Sequence, residues 1–100
     1  MKVDIQSVNF NISKELVEFV ESKASGLDKF FDKIIATHVY LKVQNTKEKE
    51  NKIVEIKLNI PKDEFIVKKT AKSFEEGIDL AIESLKRMLR KKKEKLRVHH

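Results

Sequence analysis

Residues 35–45, IATHVYLKVQN, alternate apolar and polar side chains with the two-residue period of a β-strand. One face of this strand carries the mainly apolar set: Ile35, Thr37, Val39, Leu41 and Val43. The other face carries the more polar set: His38, Tyr40, Lys42 and Gln44. A strand of this kind buries only one face, so the sheet around it is expected to have one covered face and one open face.

The downstream sequence repeats this alternation twice. Residues 54–60 predict a second strand with the same period, and residues 65–71 predict a weaker third one. The segments that join them, 45–52 and 61–63, are short, and residue 61 is the only proline of the chain. These three strands are therefore predicted to form an antiparallel meander.

The upstream sequence predicts one more strand and a helix. Residues 3–12 alternate, but the phase changes between Ile5 and Val8, which indicates a bulge or a bend. Ser13 is a suitable N-cap for a helix whose apolar residues follow 3–4 spacing as far as Phe31. Gly26 lies inside that pattern and is expected to weaken, bend or end the helix.

A second helix is predicted to begin at a Ser-x-x-Glu capping box, Ser73 and Glu76, and its apolar stripe continues to Leu89. A helix between the first two strands requires them to be parallel. We therefore predict an α+β fold of order β-α-β-β-β-α, with a four-stranded mixed sheet and two helices packed on one face. Residues 1–98 are expected to form a single domain. The terminal pair His99 and His100 is either native or the remnant of a tag.

The composition narrows the possible functions. The 100 residues contain no cysteine, which excludes disulfides, Cys-based zinc sites and thiol catalysis and fits a reducing compartment. No apolar run approaches a membrane span, and the alternating N-terminus is not a secretory signal. Two separated glycines form no phosphate loop, the acidic residues lack metal-ligand spacing, and His38 is interpreted as a plain surface residue. We expect no enzyme activity, cofactor, metal or small-molecule substrate.

The excess positive charge lies at the end of the second helix. Residues 86–97 hold eight cations and one anion, a net charge of +7, whereas the whole chain carries +6. One flank of the helix carries Lys86, Arg90, Lys93 and Arg97, and the other carries Arg87, Lys91 and Lys95. Lys92 occupies the next position of the apolar stripe, where a core residue would lie if the helix were still packed. The last turns are expected to overhang the sheet, with the flank cations off the apolar face.

A polyanionic partner explains this cluster better than a plain solvated helix end. Cations complement the helix dipole only in the last turn, and one or two are enough. Like charges four residues apart, such as Lys86 and Arg90, repel each other. Nucleic acid is the favoured partner, and a membrane surface or an acidic protein is the alternative. Further lysines either extend the candidate surface or are ordinary surface residues: Lys23, Lys29 and Lys33 in the first helix, and Lys68, Lys69 and Lys72 before the second. The exposed Tyr40 beside Lys42 suits either stacking on a base or cross-strand packing.

These residues resemble the ribosome hibernation promoting factors and ribosome-associated inhibitor proteins of bacteria over nearly the whole chain. The resemblance is strongest at GIDLAIESLKRMLRKKKEKLR, residues 77–97. The matching positions are Ile78, Asp79, Leu85, Arg87, Leu89, Lys91, Lys93 and Lys95. The first helix is also similar, as is VYLKV, residues 39–43, with Lys42 in place. The chain departs from the family pattern at Gly26, Ser84, Met88 and residues 73–75.

The resemblance implies a cytoplasmic, non-enzymatic factor that binds rRNA of the small ribosomal subunit in the mRNA and tRNA channel. It would inhibit translation in stationary phase or stress. The chain looks like the short form, without the family's extra C-terminal dimerisation domain, and is expected to be monomeric when free. The predicted RNA-binding residues are Lys23, Lys42, Lys86, Arg87, Arg90, Lys91, Lys93 and Lys95. The alternatives are a module like the double-stranded RNA-binding domain, whose order α-β-β-β-α lacks the first strand, and a protein-interaction domain that uses the open sheet face.

Overall fold

The chain folds in the predicted order, β-α-β-β-β-α. The structure is a computed structural model that describes residues 1–98, with side chains as far as Lys95, so His99, His100 and the side chain of Arg97 lie outside the described part. The elements are β1 (Lys2–Val8), α1 (Lys14–Phe30), β2 (Ala36–Val43), β3 (Lys52–Ile60), β4 (Asp63–Ala71) and α2 (Phe74–Val98). Within residues 1–98, neither helix is long and apolar enough to cross a bilayer.

The sheet is mixed, as predicted, with the strands in the order β1-β2-β3-β4. β1 runs parallel to β2, with Val3 opposite Thr37, because the intervening α1 carries the chain back to the starting edge. β2, β3 and β4 pair antiparallel through short connections. The side chains that alternate toward the helices are the buried ones, among them Val39, Leu41 and Ile56, so both helices cover one face.

The predicted first strand is too long. β1 ends at Val8, and Asn9 takes the left-handed conformation, with φ 69°, which asparagine tolerates better than most residues. The backbone turns there, and Phe10 leaves the sheet to stack on Phe74, with ring centroids 4.7 Å apart. The phase change in the sequence therefore has two causes. Val8 is still in β1 but lies 36% exposed on the face opposite Ile5, and Phe10 and Ile12 pack on the core from a loop.

The prediction that Ile35 faces the core is also wrong. β2 begins at Ala36, and Ile35 lies before it with 58% of its surface exposed. Its backbone N–H donates to the Asn59 carbonyl at 2.8 Å, which extends the pairing of β2 with β3 by one residue. The backbone N–H of Ile35 therefore has a hydrogen-bond acceptor, while its side chain projects from the end of the sheet into solvent.

Both helices begin where the sequence predicts. The Ser13 hydroxyl accepts a hydrogen bond from the Leu16 N–H, and the Ser73 hydroxyl accepts one from the Glu76 N–H, each at 3.1 Å. α1 continues through Gly26 without ending there. The most deeply buried side chains of the core come from both helices and the two central strands: Leu27, Leu41, Ile56, Leu58, Ile78, Leu85 and Leu89.

Candidate nucleic-acid interface

The solvent-facing surface of α2 changes sign along the helix. Its first half exposes four carboxylates: Glu75, Glu76, Asp79 and Glu83. Its second half carries one anion, Glu94, and seven cations. Lys92 pairs with Asp63 on the sheet, which leaves six: Lys86, Arg87, Arg90, Lys91, Lys93 and Lys95. At 3.6 residues per turn these six cations cover the helix surface away from the sheet. We call this set the basic surface.

The flank of the basic surface nearer α1 packs against an aromatic ring. The Lys93 Nζ lies 4.3 Å from the centroid of the Phe30 ring, and the Arg90 guanidinium carbon lies 5.9 Å from it. Cations at this distance are attracted to the ring face. Arg90 and Lys93 therefore contact α1, although they lie off the apolar face of α2.

The other flank, Arg87, Lys91 and Lys95, is exposed to solvent. The Arg87 guanidinium donates to the Ser84 hydroxyl at 3.1 Å and stays on the helix surface. Among the side chains that the structure describes, the ion pairs shorter than 4.0 Å involve other cations, so no carboxylate neutralises any member of the basic surface. The six charges are available to an external polyanion.

Lys92 marks the end of helix packing. It occupies the position where the apolar stripe would continue, and its Nζ lies 3.4 Å from the Asp63 Oδ2 at the start of β4. The helix therefore remains attached to the sheet as far as Lys92, and the predicted overhang is confined to the turns beyond it. The molecule measures 51 × 24 × 18 Å. Its long axis therefore exceeds the roughly 30 Å length of a nine-residue strand such as β4.

Lys23 adjoins the basic surface, but its charge is partly neutralised. Its Nζ lies 3.1 Å from the Asp79 Oδ1 and 5.3 Å from the centroid of the Phe19 ring. It lines the groove between the two helices together with Lys86 and Gly26. The structure thus brings Lys23 beside the predicted site as a link between α1 and α2.

Lys42 lies on the other side of the molecule. It is exposed on β2, on the open sheet face that also carries His38 and Tyr40, whereas α2 covers the opposite face. The structure therefore does not bring Lys42 together with the basic surface. His38 is half-buried, with its Nδ1 3.5 Å from the Asp4 Oδ2 and its Nε2 3.4 Å from the Asn59 amide nitrogen.

Comparison with known proteins identifies the family. Residues 3–97 match the family described as sigma 54 modulation protein / S30EA ribosomal protein. The chain belongs to this family. It is 32% identical over 99 residues to the ribosome hibernation promoting factors of Klebsiella oxytoca and of Escherichia coli (strain K12), covering 99% of this chain and 100% of each relative. It is 30% identical over 95 residues to that of Azotobacter vinelandii, covering 95% of this chain and 85% of the relative.

Two solved structures share the fold of this S30EA family member. A ribosomal subunit interface protein from Coxiella burnetii superposes with a TM-score of 0.82 at 22% identity, covering 93% of this chain and 98% of the other. The Thermus thermophilus Protein Y N-terminal domain gives a TM-score of 0.79 at 22% identity, with 91% and 98% covered. The family resemblance drawn from the sequence and the predicted fold class are both confirmed.

The S30EA family consists of ribosome-associated factors and is not an enzyme family. Within the described part of the chain, no three His, Asp or Glu side chains lie close enough together to hold a metal ion. What the structure offers instead is a charged surface on a rigid helix, which suits binding.

Two residues near the basic surface were missed by sequence reasoning. Phe30 follows the apolar periodicity less well than Phe31, yet it supports Arg90 and Lys93 from 60 residues away in sequence. Lys62 sits in the β3–β4 turn with φ 63°, a value that only the backbone reveals. A Phe-Phe pair at a helix end was the one available signal, because only one of its rings can enter the core.

Proposed function

We propose that this protein is a ribosome hibernation factor. It binds rRNA of the small ribosomal subunit in the mRNA and tRNA channel, in the cytoplasm, and inhibits translation by occupancy in stationary phase or stress. Membership of the family and relatives named ribosome hibernation promoting factor support the general role. The basic surface of α2 supports RNA as the partner.

The basic surface is the observation that carries this proposal. Six cations lie on about three turns of one helix, and none is paired within the described side chains. Retaining them together costs stability through mutual repulsion, which a polyanion relieves. Contacts from lysine and arginine to phosphates position a protein on RNA without reading its sequence. A folded α/β domain with such a helix suits a cleft lined by RNA backbone.

A general double-stranded RNA-binding module is the rival. That fold starts with its helix, whereas here β1 precedes α1 and pairs parallel with β2. Family membership also favours the ribosome as the partner. The two functions predict different sedimentation: a hibernation factor should pellet with small subunits and should not be displaced by an equal mass of duplex RNA.

Charge reversal on the exposed flank tests the proposal. Lys91→Glu with Lys95→Glu changes two solvent-exposed cations. It spares Arg90 and Lys93, which lie over the Phe30 ring. Each lost phosphate contact should lower the log–log salt slope of binding by about 0.7–0.9, so the slope should fall by roughly 1.4–1.8. Pelleting with small subunits at several salt concentrations measures this change. In the same assay, excess mRNA with initiator tRNA should displace the unmodified protein.

The matched control is Lys47→Glu with Lys49→Glu. It makes the same change in net charge in the exposed segment between β2 and β3, at the opposite end of the sheet. This variant should pellet as the unmodified protein does, and circular dichroism should show both variants folded. A folded α2 variant that pellets with an unchanged salt slope would contradict the proposed contact surface.

A further inference from the structure

A pocket of about 240 Å³ lies at the end of the molecule where α1, the β3–β4 turn and α2 meet. Its lining consists of three apolar and three cationic side chains: Phe31, Ile60, Pro61, Lys33, Lys62 and Lys92. We call it the end pocket. Phe31 and Ile60 belong to the core, at 4% and 3% exposure, and close its floor, so the exposed apolar residue of the lining is Pro61. Lys33 and Lys62 are exposed at its rim.

Lys62 has a backbone conformation that lysine rarely adopts. Pro61 followed by a residue with φ 63° has the character of a type II turn, in which glycine or asparagine is favoured at the second central position. A lysine there is disfavoured, because its Cβ crowds the backbone in the left-handed region. The side chain it contributes lines the end pocket. Strained positions of this kind are a reason to look for a binding role.

The rim charges are not equivalent. Lys92 is already 3.4 Å from the Asp63 carboxylate. Lys33 and Lys62 have no carboxylate within ion-pair distance among the side chains that the structure describes. Two unpaired ammonium groups therefore stand over an apolar floor, an arrangement that suits a ligand with an apolar plane and an adjacent anion.

We propose that the end pocket holds one unstacked nucleotide of an RNA strand. The base would lie against Pro61 above the apolar floor, and its phosphate would lie between Lys33 and Lys62. The assignment rests on the proposed function, which supplies RNA as the partner. Pockets that enclose a whole small-molecule ligand measure about 300–1,000 Å³, so this one suits a single base of a longer chain. Bases splayed from a strand are commonly held by such combined stacking and charge.

The end pocket continues the basic surface. Lys92 lines the pocket from α2, one residue from Lys91 and Lys93. Phe31 in the floor follows Phe30, on which Arg90 and Lys93 lie. An RNA backbone that follows the second half of α2 therefore passes close to the pocket, and the strand end or a bulged base can enter it.

The test uses the full chain and three probes: a single-stranded uridine tetranucleotide, the abasic ribose-phosphate tetramer and inorganic phosphate. The variant is Lys62→Gly, which removes the cation and suits the positive φ, so the melting temperature should stay equal or rise. Its affinity for the tetranucleotide should fall about fivefold, and the salt slope should fall by about 0.7. The backbone amides of Phe31, Lys33 and Lys62 should shift in NMR titrations of the unmodified protein with the tetranucleotide.

Lys49→Gly is the matched control and should leave tetranucleotide affinity unchanged. The abasic tetramer and phosphate should bind the unmodified protein several-fold more weakly than the tetranucleotide. Equal affinity for the abasic tetramer would reduce the pocket to an anion site and overturn the assignment. So would unchanged binding by Lys62→Gly, or displacement of the RNA by an acidic peptide at equal concentration.

The two proposals fail separately. If Lys91→Glu with Lys95→Glu abolishes pelleting while Lys62→Gly binds the tetranucleotide normally, the ribosome proposal stands and the pocket assignment is wrong. If the α2 variant pellets normally while the tetranucleotide shifts the pocket amides, the pocket binds nucleotides and the contact surface proposed for the ribosome is wrong.

Discussion

The two halves of α2, residues 74–85 and 86–95, are similar in length but differ in function. Residues 74–85 place five apolar side chains in the core: Phe74, Ile78, Ala81, Ile82 and Leu85. Residues 86–95 place only Leu89 there, and the next position of the stripe is Lys92. The first half attaches the helix to the sheet, while the second half carries six unpaired cations. Burial and charge are therefore separated along one continuous helix.

The sign of the charge in each half follows the helix dipole, but the amount does not. Carboxylates such as Glu75 and Glu76 favour the N-terminus of a helix, and cations favour the C-terminus. The dipole acts only over the terminal turn, whereas the cations begin at Lys86, about three turns before Val98. The stability of the fold is therefore expected to depend on the first half of α2, and the binding of a polyanionic partner on the second half.

Leu85→Ala should give the largest effect on stability. Leu85 is completely buried, and its truncation removes apolar contacts and leaves a cavity, at a cost of roughly 2–5 kcal/mol. Chemical denaturation measures the loss of free energy of unfolding. The fraction that remains folded should pellet with small subunits with an unchanged salt slope. A changed slope would mean that packing in the first half and RNA contact in the second half are not separate.

Gly77→Ala should cost less, about 1–3 kcal/mol. A Cβ at Gly77 would lie 2.7 Å from the Val54 Cγ2 on β3, so the Val54 side chain or the helix would have to shift, even though alanine favours helices. Gly26→Ala is the matched control, because nothing lies within 4 Å of a Cβ there and the change should stabilise α1 by up to about 1 kcal/mol. Thermal melts of both variants test whether close packing is confined to the first half.

The sequence was sufficient for the fold because periodicity and topology agreed. The alternation of β2, the capping serines and the short connections left one arrangement of strands and helices. It failed where backbone conformation broke the period: Asn9 ends β1, and Ile35 lies just outside β2. Beyond Asn9, Phe10 and Ile12 pack on the core from a loop, and Ile35 is exposed although it continues the apolar alternation of β2. No propensity distinguishes such residues from strand residues.

The candidate site was only partly predictable for a different reason. Charge density located the basic surface in the sequence, since a helix keeps near neighbours near in space. Contacts between distant segments were hidden: Phe30 beneath Lys93, Asp63 beside Lys92, and the separation of Lys42 from α2 by the sheet. Periodicity gives the face on which a residue lies and gives no information about which residue of another element lies opposite.

Lys91→Gln should give the smallest effect on stability. It most directly tests whether the cations in the second half of α2 serve binding and not folding. Glutamine and lysine have similar helix propensities, and position 91 lies before the last turn, so the dipole contributes little. The change removes like-charge pairs with Arg87 and Lys95 and one weaker attraction to Glu94, with which the structure shows no ion pair. The free energy of unfolding should therefore rise by about 0.2–0.5 kcal/mol at low salt, and the gain should vanish as salt screens the charges.

The same Lys91→Gln substitution should weaken small-subunit binding and lower the salt slope by about 0.7–0.9, because one phosphate contact is lost. Denaturation at low and high salt, with pelleting under the same conditions, measures both quantities on one protein. Lys49→Gln is the control, since it makes the same charge change outside any helix and should alter neither. If Lys91→Gln lowered stability at low salt, the cations of the second half would be contributing to folding. A polyanionic partner would then no longer be needed to explain why they lie together.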